Sequence, residues 1–182
     1  MLKVTRTDIP DVLIVEPRIF ADDRGFFLES WNAREFHRAV GLDVHFVQDN
    51  HSRSKRGVLR DMHYQIGRPQ GKLVRVVRGM VFDVVVDLRK SSPSFGQWIG
   101  FELSDRDHRQ VWIPPGFAHG FLVLSESADF LYKTTDYYTP EYERCLIWND
   151  PEVAISWPSG PEPVLAAKDQ MGLGLRAAEV FA

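Results

Sequence analysis

The chain has 182 residues, 44% hydrophobic and 26% charged, with a formal net charge of −3 at pH 7. This predicts a single domain over residues 1–182 with room for a proper core and excludes a protein drawn by bulk charge to nucleic acid or an anionic membrane. Cys145 is the sole cysteine, so no intramolecular disulfide and no cysteine-based zinc cluster can form.

Taken in order, the opening MLKVTRTDIP lacks the apolar run of a signal peptide, and no stretch reaches transmembrane length, so a cytoplasmic setting is expected. Residues 12–31 read as short strands broken by the polar turn Ala21–Gly25. Residues 32–40 predict a helix, with Asn32 as its cap, Glu35 three residues on and Gly41 as its stop. From there to residue 148 the pattern is almost wholly β. Val44–Gln48 reads as a strand and Ser52–Gly57 as a basic loop. Leu73–Val77 and Met80–Leu88 read as a hairpin about Arg78-Gly79. Trp98–Leu103, Val111–Ile113, Phe121–Leu124, Asp129–Asp136, Cys145–Trp148 and Val153–Trp157 complete the strands, and a helical turn is expected near 165–171. Short strands at regular spacing, punctuated by Gly and Pro, predict a mainly β fold of the cupin type, a jelly-roll barrel or sandwich with a few short helices.

Residues 57–72, GVLRDMHYQIGRPQGK, concentrate Arg60, Asp61, His63, Gln65, Arg68 and Lys72 in one strand and the turn after it. Charges are costly to bury unless paired, so the stretch reads either as a base beside an anion site or as a solvated edge strand. A second histidine, His119, closes PPGFAH, which matches the PxGxxH pattern of cupins. The first cupin motif asks for a second histidine where Gln65 stands, and Gln is a poor ligand for transition metals. No metal and no cofactor are expected. His63 is then free to act as a general base near neutral pH.

FADDRGFFLESWN, FVQDNHSRS, GVLRDMHYQ, QGKLVR, FGQW, WIPPGFAHGF, FLYKTTDYY, WNDP and AKD follow one another in the chain. Together they resemble the dTDP-4-dehydrorhamnose 3,5-epimerase family. The resemblance implies a dTDP-4-keto-6-deoxy sugar substrate, dTDP-4-dehydro-6-deoxy-D-glucose, inverted at C3 and C5 in dTDP-L-rhamnose biosynthesis without a cofactor. It further implies His63 as the base with Asp169 as its partner, Lys72 beside the C4 oxygen, and Tyr132 returning a proton from the opposite face. Arg24, Phe27, Glu29, Gln48, Asn50, Arg60, His119, Tyr138, Glu143 and Lys168 match substrate-binding positions, with Tyr138 stacking on the base. A homodimer that exchanges N-terminal strands is implied as well, with Arg24 and Glu29 reaching the neighbour's nucleotide. Taken singly, Tyr132 also reads as a core residue, and Arg24 with Glu29 as a surface ion pair.

One position departs from the family pattern, usually LRGLH before the base: here it is Leu59-Arg60-Asp61-Met62-His63. Strand alternation puts Asp61 on the face of His63, where its charge would favour a protonated imidazole or repel a diphosphate. The other readings are an epimerase acting at one carbon only, a binding cupin silenced by Asp61, and a metal-dependent oxygenase, the last disfavoured by Gln65.

Overall fold

Thirteen strands, one α-helix and two 3₁₀ turns form within residues 2–182, which the computed structural model describes. A six-stranded sheet runs β1 (Lys3–Arg6), β2 (Leu13–Glu16), β10 (Gln110–Ile113), β7 (Lys72–Arg78), β12 (Ser127–Thr134), β5 (Gln48–Lys55). A five-stranded sheet runs β13 (Glu143–Leu146), β6 (Leu59–Gln65), β11 (Phe117–Val123), β8 (Met80–Asp87), β9 (Trp98–Ser104). A hairpin, β3 (Ile19–Asp22) and β4 (Gly25–Leu28), stands apart from both. Among the described residues, no helix is long and apolar enough to cross a membrane.

The packing explains the sequence pattern. Side chains of β7, β8, β10, β11 and β12, among them Val74, Val76, Val85, Ile113, Phe121 and Phe130, form the core between the sheets. Branched and aromatic residues suit a pleated surface, and each buried side chain stabilises by about 1.5–3 kcal/mol. The alternate residues of β8, Val84 and Val86, face outward against Ile155, Trp157 and Phe181 of the C-terminal segment. Leu13, Leu73 and Trp112 on the outer face of the six-stranded sheet are covered by Phe36 of α1 (Ala33–Val40), with Trp31 and Phe46. That helix starts and stops as its sequence demands. The Asn32 side chain accepts from the Glu35 amide at 3.2 Å, and Gly41 ends it in the left-handed region at φ 78°.

Several expected elements differ. The hairpin about Arg78-Gly79 is instead a corner between sheets, since β7 pairs with β10 and β12 while β8 pairs with β11 and β9. Gly79 sits at φ 79°, and a Cβ there would lie 2.1 Å from the Ser127 carbonyl oxygen, so only glycine fits the corner. The strand expected at Val44–Gln48 and the loop expected at Ser52–Gly57 are replaced by β5, Gln48–Lys55, paired along its length with β12. Its polar composition masked it. Gln48, Asn50 and Ser52 turn inward while Asp49, His51 and Arg53 face solvent. β11 begins at Phe117, four residues earlier than the sequence suggested, which makes His119 a mid-strand residue. β12 and β13 each lie two residues earlier than expected, and the helical turn shrinks to Asp169–Met171. Val153–Trp157 is no strand. It is an irregular cover whose Trp157 indole donates to the Trp148 carbonyl at 2.9 Å.

Candidate active site

Between the two sheets lies a cavity of about 470 Å³. β6 and β11 of the five-stranded sheet supply one wall, carrying His63 and His119. β5, β7 and β12 of the six-stranded sheet supply the other, carrying Gln48, Asn50, Lys72 and Tyr132. Strand alternation delivers these side chains inward, on the face of the inter-sheet core, and turns the residues between them, such as Met62, Tyr64 and Leu73, to the outer faces.

His63 is completed from far along the chain. Two pins tie the C-terminal segment to the sheet on either side of Asp169. The Val164 amide donates to the Gly57 carbonyl at 2.8 Å, and the Leu173 amide donates to the Cys145 carbonyl at 3.0 Å. Between them the 3₁₀ turn brings Asp169 Oδ1 within 3.0 Å of His63 Nε2. Burial works against the Asp169 charge, but its hydrogen bond to His63 and the imidazole's charge hold the carboxyl below its ordinary value. A carboxylate there fixes the imidazole proton on Nε2. Nδ1 is left without a hydrogen-bond partner, with Glu143 Oε1 beside it at 3.5 Å.

Lys72 is buried and donates from Nζ to the His63 carbonyl at 3.1 Å. Desolvation lowers its pKa to about 8, against the opposing pull of Asp83 and Glu143. It is still an ammonium at neutral pH. Tyr132 is half-buried and packs on Phe130; burial raises its pKa, which keeps the phenol protonated. His119 is tied at 2.7 Å to Asp83, a fully buried carboxylate on β8 whose second oxygen has no partner. Sequence reading missed Asp83 as the partner of His119. Its signal was an acid at the inward position of a valine-rich strand.

At the mouth, Tyr138 donates through its hydroxyl to Glu143 at 3.0 Å, and Lys168 donates to the same carboxylate at 3.1 Å. Gln48 and Asn50 share a 3.0 Å hydrogen bond, which leaves Asn50 Nδ2 buried and unpaired. Arg60 is exposed at the rim and held by Ser54 at 3.0 Å. The structure thus brings His63, Asp169, Lys72, Tyr132, Gln48, Asn50, Arg60, His119, Tyr138, Glu143 and Lys168 around one cavity. It does not bring in Arg24, Phe27 or Glu29. Arg24 is solvent-exposed and bonded to Asp22, Phe27 is 69% exposed, and all three lie on or just after the β3–β4 hairpin, outside the pocket lining.

Gln65, at the position where a cupin metal site would hold histidine, clips two loops. Its amide donates to the carbonyls of Arg68 and Tyr137, and its oxygen accepts from the Thr139 amide at 2.7 Å. Donor atoms of His63, Cys145 and Asp169 do gather within 4.8 Å of one another. As a donor set they suit a metal poorly. Burial raises the Cys145 thiol far above its ordinary value, and it donates to Asp61, while Asp169 is already engaged by His63. Asp61 does share the inward face of β6 with His63, as alternation predicts, and it is 1% exposed.

Residues 6–177 match the profile of the family described as dTDP-4-dehydrorhamnose 3,5-epimerase. The protein of that name from Pseudomonas aeruginosa is 61% identical over 180 residues, covering 99% of each chain. Among solved structures, the dTDP-6-deoxy-D-glucose-3,5-epimerase of Legionella pneumophila in complex with dTDP-4-keto-L-rhamnose is 50% identical. It superposes with a TM-score of 0.96 over 98% of this chain and 95% of its own. A 3'-monoepimerase from Streptomyces bikiniensis in complex with dTDP-quinovose is 33% identical, with a TM-score of 0.88 over 94% of this chain and 87% of its own.

Proposed function

The chain belongs to the dTDP-4-dehydrorhamnose 3,5-epimerase family, and from that premise we propose how its pocket inverts C5 and C3 of dTDP-4-dehydro-6-deoxy-D-glucose. The observation that carries the reading is the placement of His63 and Tyr132 on facing sheets of one cavity, with Lys72 beside them. Inversion needs a proton removed from one face of the sugar and returned to the other.

The carbons to be inverted are both α to the C4 ketone, so the substrate is its own electron sink and no cofactor is called for. His63 Nδ1, the free nitrogen, takes the proton from C5. The electron pair moves onto the C4 oxygen as an enolate, which the Lys72 ammonium neutralises in a site shielded from water. Tyr132 then gives its phenolic proton to the opposite face as the ketone re-forms, and solvent restores the tyrosine and the free imidazole. A second round at C3 repeats the sequence. Asp169 holds the imidazole in the productive tautomer and steadies the imidazolium.

Asn50 and His119 offer hydrogen bonds to the sugar, Arg60 and Lys168 offer charge to the diphosphate, and Tyr138 offers a flat face to thymine. Arg24, Phe27 and Glu29 complete the site only from a second copy. The exposed β3–β4 hairpin, with Phe20, Phe26 and Phe27 each about half exposed or more, is the surface a homodimer would cover. A reduced, cytoplasmic Cys145 is consistent with a biosynthetic role.

The test is proton exchange, with the substrate incubated in D₂O and deuterium followed by NMR. Label at C3 and C5, lost in His63→Ala, is expected. Label at one carbon alone would make the protein a monoepimerase like the Streptomyces bikiniensis relative. Binding without exchange would leave a nucleotide-sugar-binding cupin.

A further inference from the structure

Asp61 is a buried carboxylate that the reaction above does not use. Its Oδ2 accepts from the Cys145 thiol at 3.3 Å, and its Oδ1 is buried with no partner at all. A native protein rarely leaves a carboxylate oxygen so exposed to the low dielectric. The groups that face it are few. On its own strand there is His63. From β13 come Cys145, which pairs in register with His63, and beyond it Glu143 toward Lys168. From the C-terminal turn comes Asp169. From β11 only Gly120 abuts its backbone, with no room for a side chain, and His119 is committed to Asp83.

We propose that Asp61 is a positioning residue for the base: a second carboxyl behind the His63–Asp169 pair, acting through its charge, that sets the pH below which the pair stops accepting a proton. The inference rests on the epimerase reading for its kinetic half alone. Two like carboxyls beside one imidazole cannot titrate independently, and their ionisations belong to the group. Burial raises the Asp61 carboxyl to about 6, with Asp169 adding to the rise while the Met62 amide, the Cys145 thiol and His63 oppose it. Around that pH Asp61 gains its charge, and with it a protonated imidazole becomes easier to hold. The acid side of the rate profile therefore carries the ionisation of Asp61 together with that of the pair.

The experiment has two arms. Carboxyl-carbon NMR of the unmodified protein, followed against pH, needs no activity. Asp61 is expected to titrate near 6 with a matching inflection on Asp169. An Asp61 that titrates in the ordinary aspartate range, or without a response at Asp169, would overturn the proposal. In the second arm, kcat/KM is measured against pH for the protein and for Asp61→Asn, which keeps the shape and loses the charge. Where Asp61 carries its charge, above about 6, the acid limb of the variant is expected to lie lower by up to about one pH unit, and below that, where Asp61 is protonated, the two limbs converge. A limb that stays in place, whatever happens to the plateau, overturns the role. Loss of exchange chemistry in the unmodified protein with the NMR inflections present would instead count against the epimerase reading and leave the coupling standing.

Discussion

Three of the five histidine–aspartate contacts among the described residues involve histidines on the sheets, and they differ chiefly in where the structure leaves the rest of the ring. His63 meets Asp169 at 3.0 Å with its side chain 22% exposed to the cavity and Nδ1 unpaired. His119 meets Asp83 at 2.7 Å with its side chain only 7% exposed, stacked on Phe130. His51 approaches Asp129 at 3.6 Å with its side chain 56% exposed, on the solvent face of β5 beside Arg53. The same two residue types make a candidate base, a wall and a surface contact. Pair chemistry alone does not single out a candidate base; a ring nitrogen without a hydrogen-bond partner on a cavity wall does.

Replacing each histidine in turn is the sharpest way to break that comparison. His63→Ala is expected to lower kcat by about 10²–10⁴-fold, the worth of a positioned general base. His119→Ala should lose only about tenfold, the worth of one hydrogen bond. His51→Ala should leave rate unchanged and stability within about 0.5 kcal/mol. Steady-state kinetics with thermal melts checks all three, and comparable losses for His63 and His119 would erase the distinction.

Lys72 tests the other half of the pocket. Lys72→Met is expected to cost about 10²–10³-fold in kcat, as for removal of one oxyanion partner. In the unmodified protein the rate should fall as pH rises through about 8, where the buried ammonium loses its proton. That alkaline limb should vanish in the variant. The sign for stability is opposite. A lysine whose folded pKa is lowered costs stability wherever it is charged, so Lys72→Met should be the more stable protein at pH 7, by about 3 kcal/mol, as denaturant titration can show.

Asp61 marks off the His63 pair from the His119 pair on the protein side. Its folded pKa is raised from 3.8 to about 6, so the folded state holds a proton that the unfolded state has released between those values. Stability is lost as pH rises through that window. Asp61→Asn should match the parent below about pH 4 and exceed it by up to about 3 kcal/mol above pH 6. Denaturant midpoints that differ equally at both ends would mean that shape, not charge, sets the difference. A small effect is expected on the solvent face of β5, where Arg53→Ala removes an exposed partner of Asp129 and should cost no more than about 1 kcal/mol.

The sequence by itself determined the helix 33–40, through Asn32 and Gly41, and the branched-residue strands that make the core, because caps and periodicity are local physics. It also carried the resemblance that names the family, since ordered motifs survive without any knowledge of geometry. It could not show that β7 and β8 belong to different sheets, because a glycine corner and a hairpin glycine look alike until the neighbouring Ser127 carbonyl is in place. It hid β5, a strand polar on both faces, one turned to the cavity and one to water. Only the tertiary structure decided that Asp169, far from His63 in the chain, is held by two backbone pins within reach of Nε2. Only it decided that Asp83, written among valines, points inward to His119. Such contacts join segments remote in sequence, and their geometry is fixed by sheet pairing that no local pattern encodes.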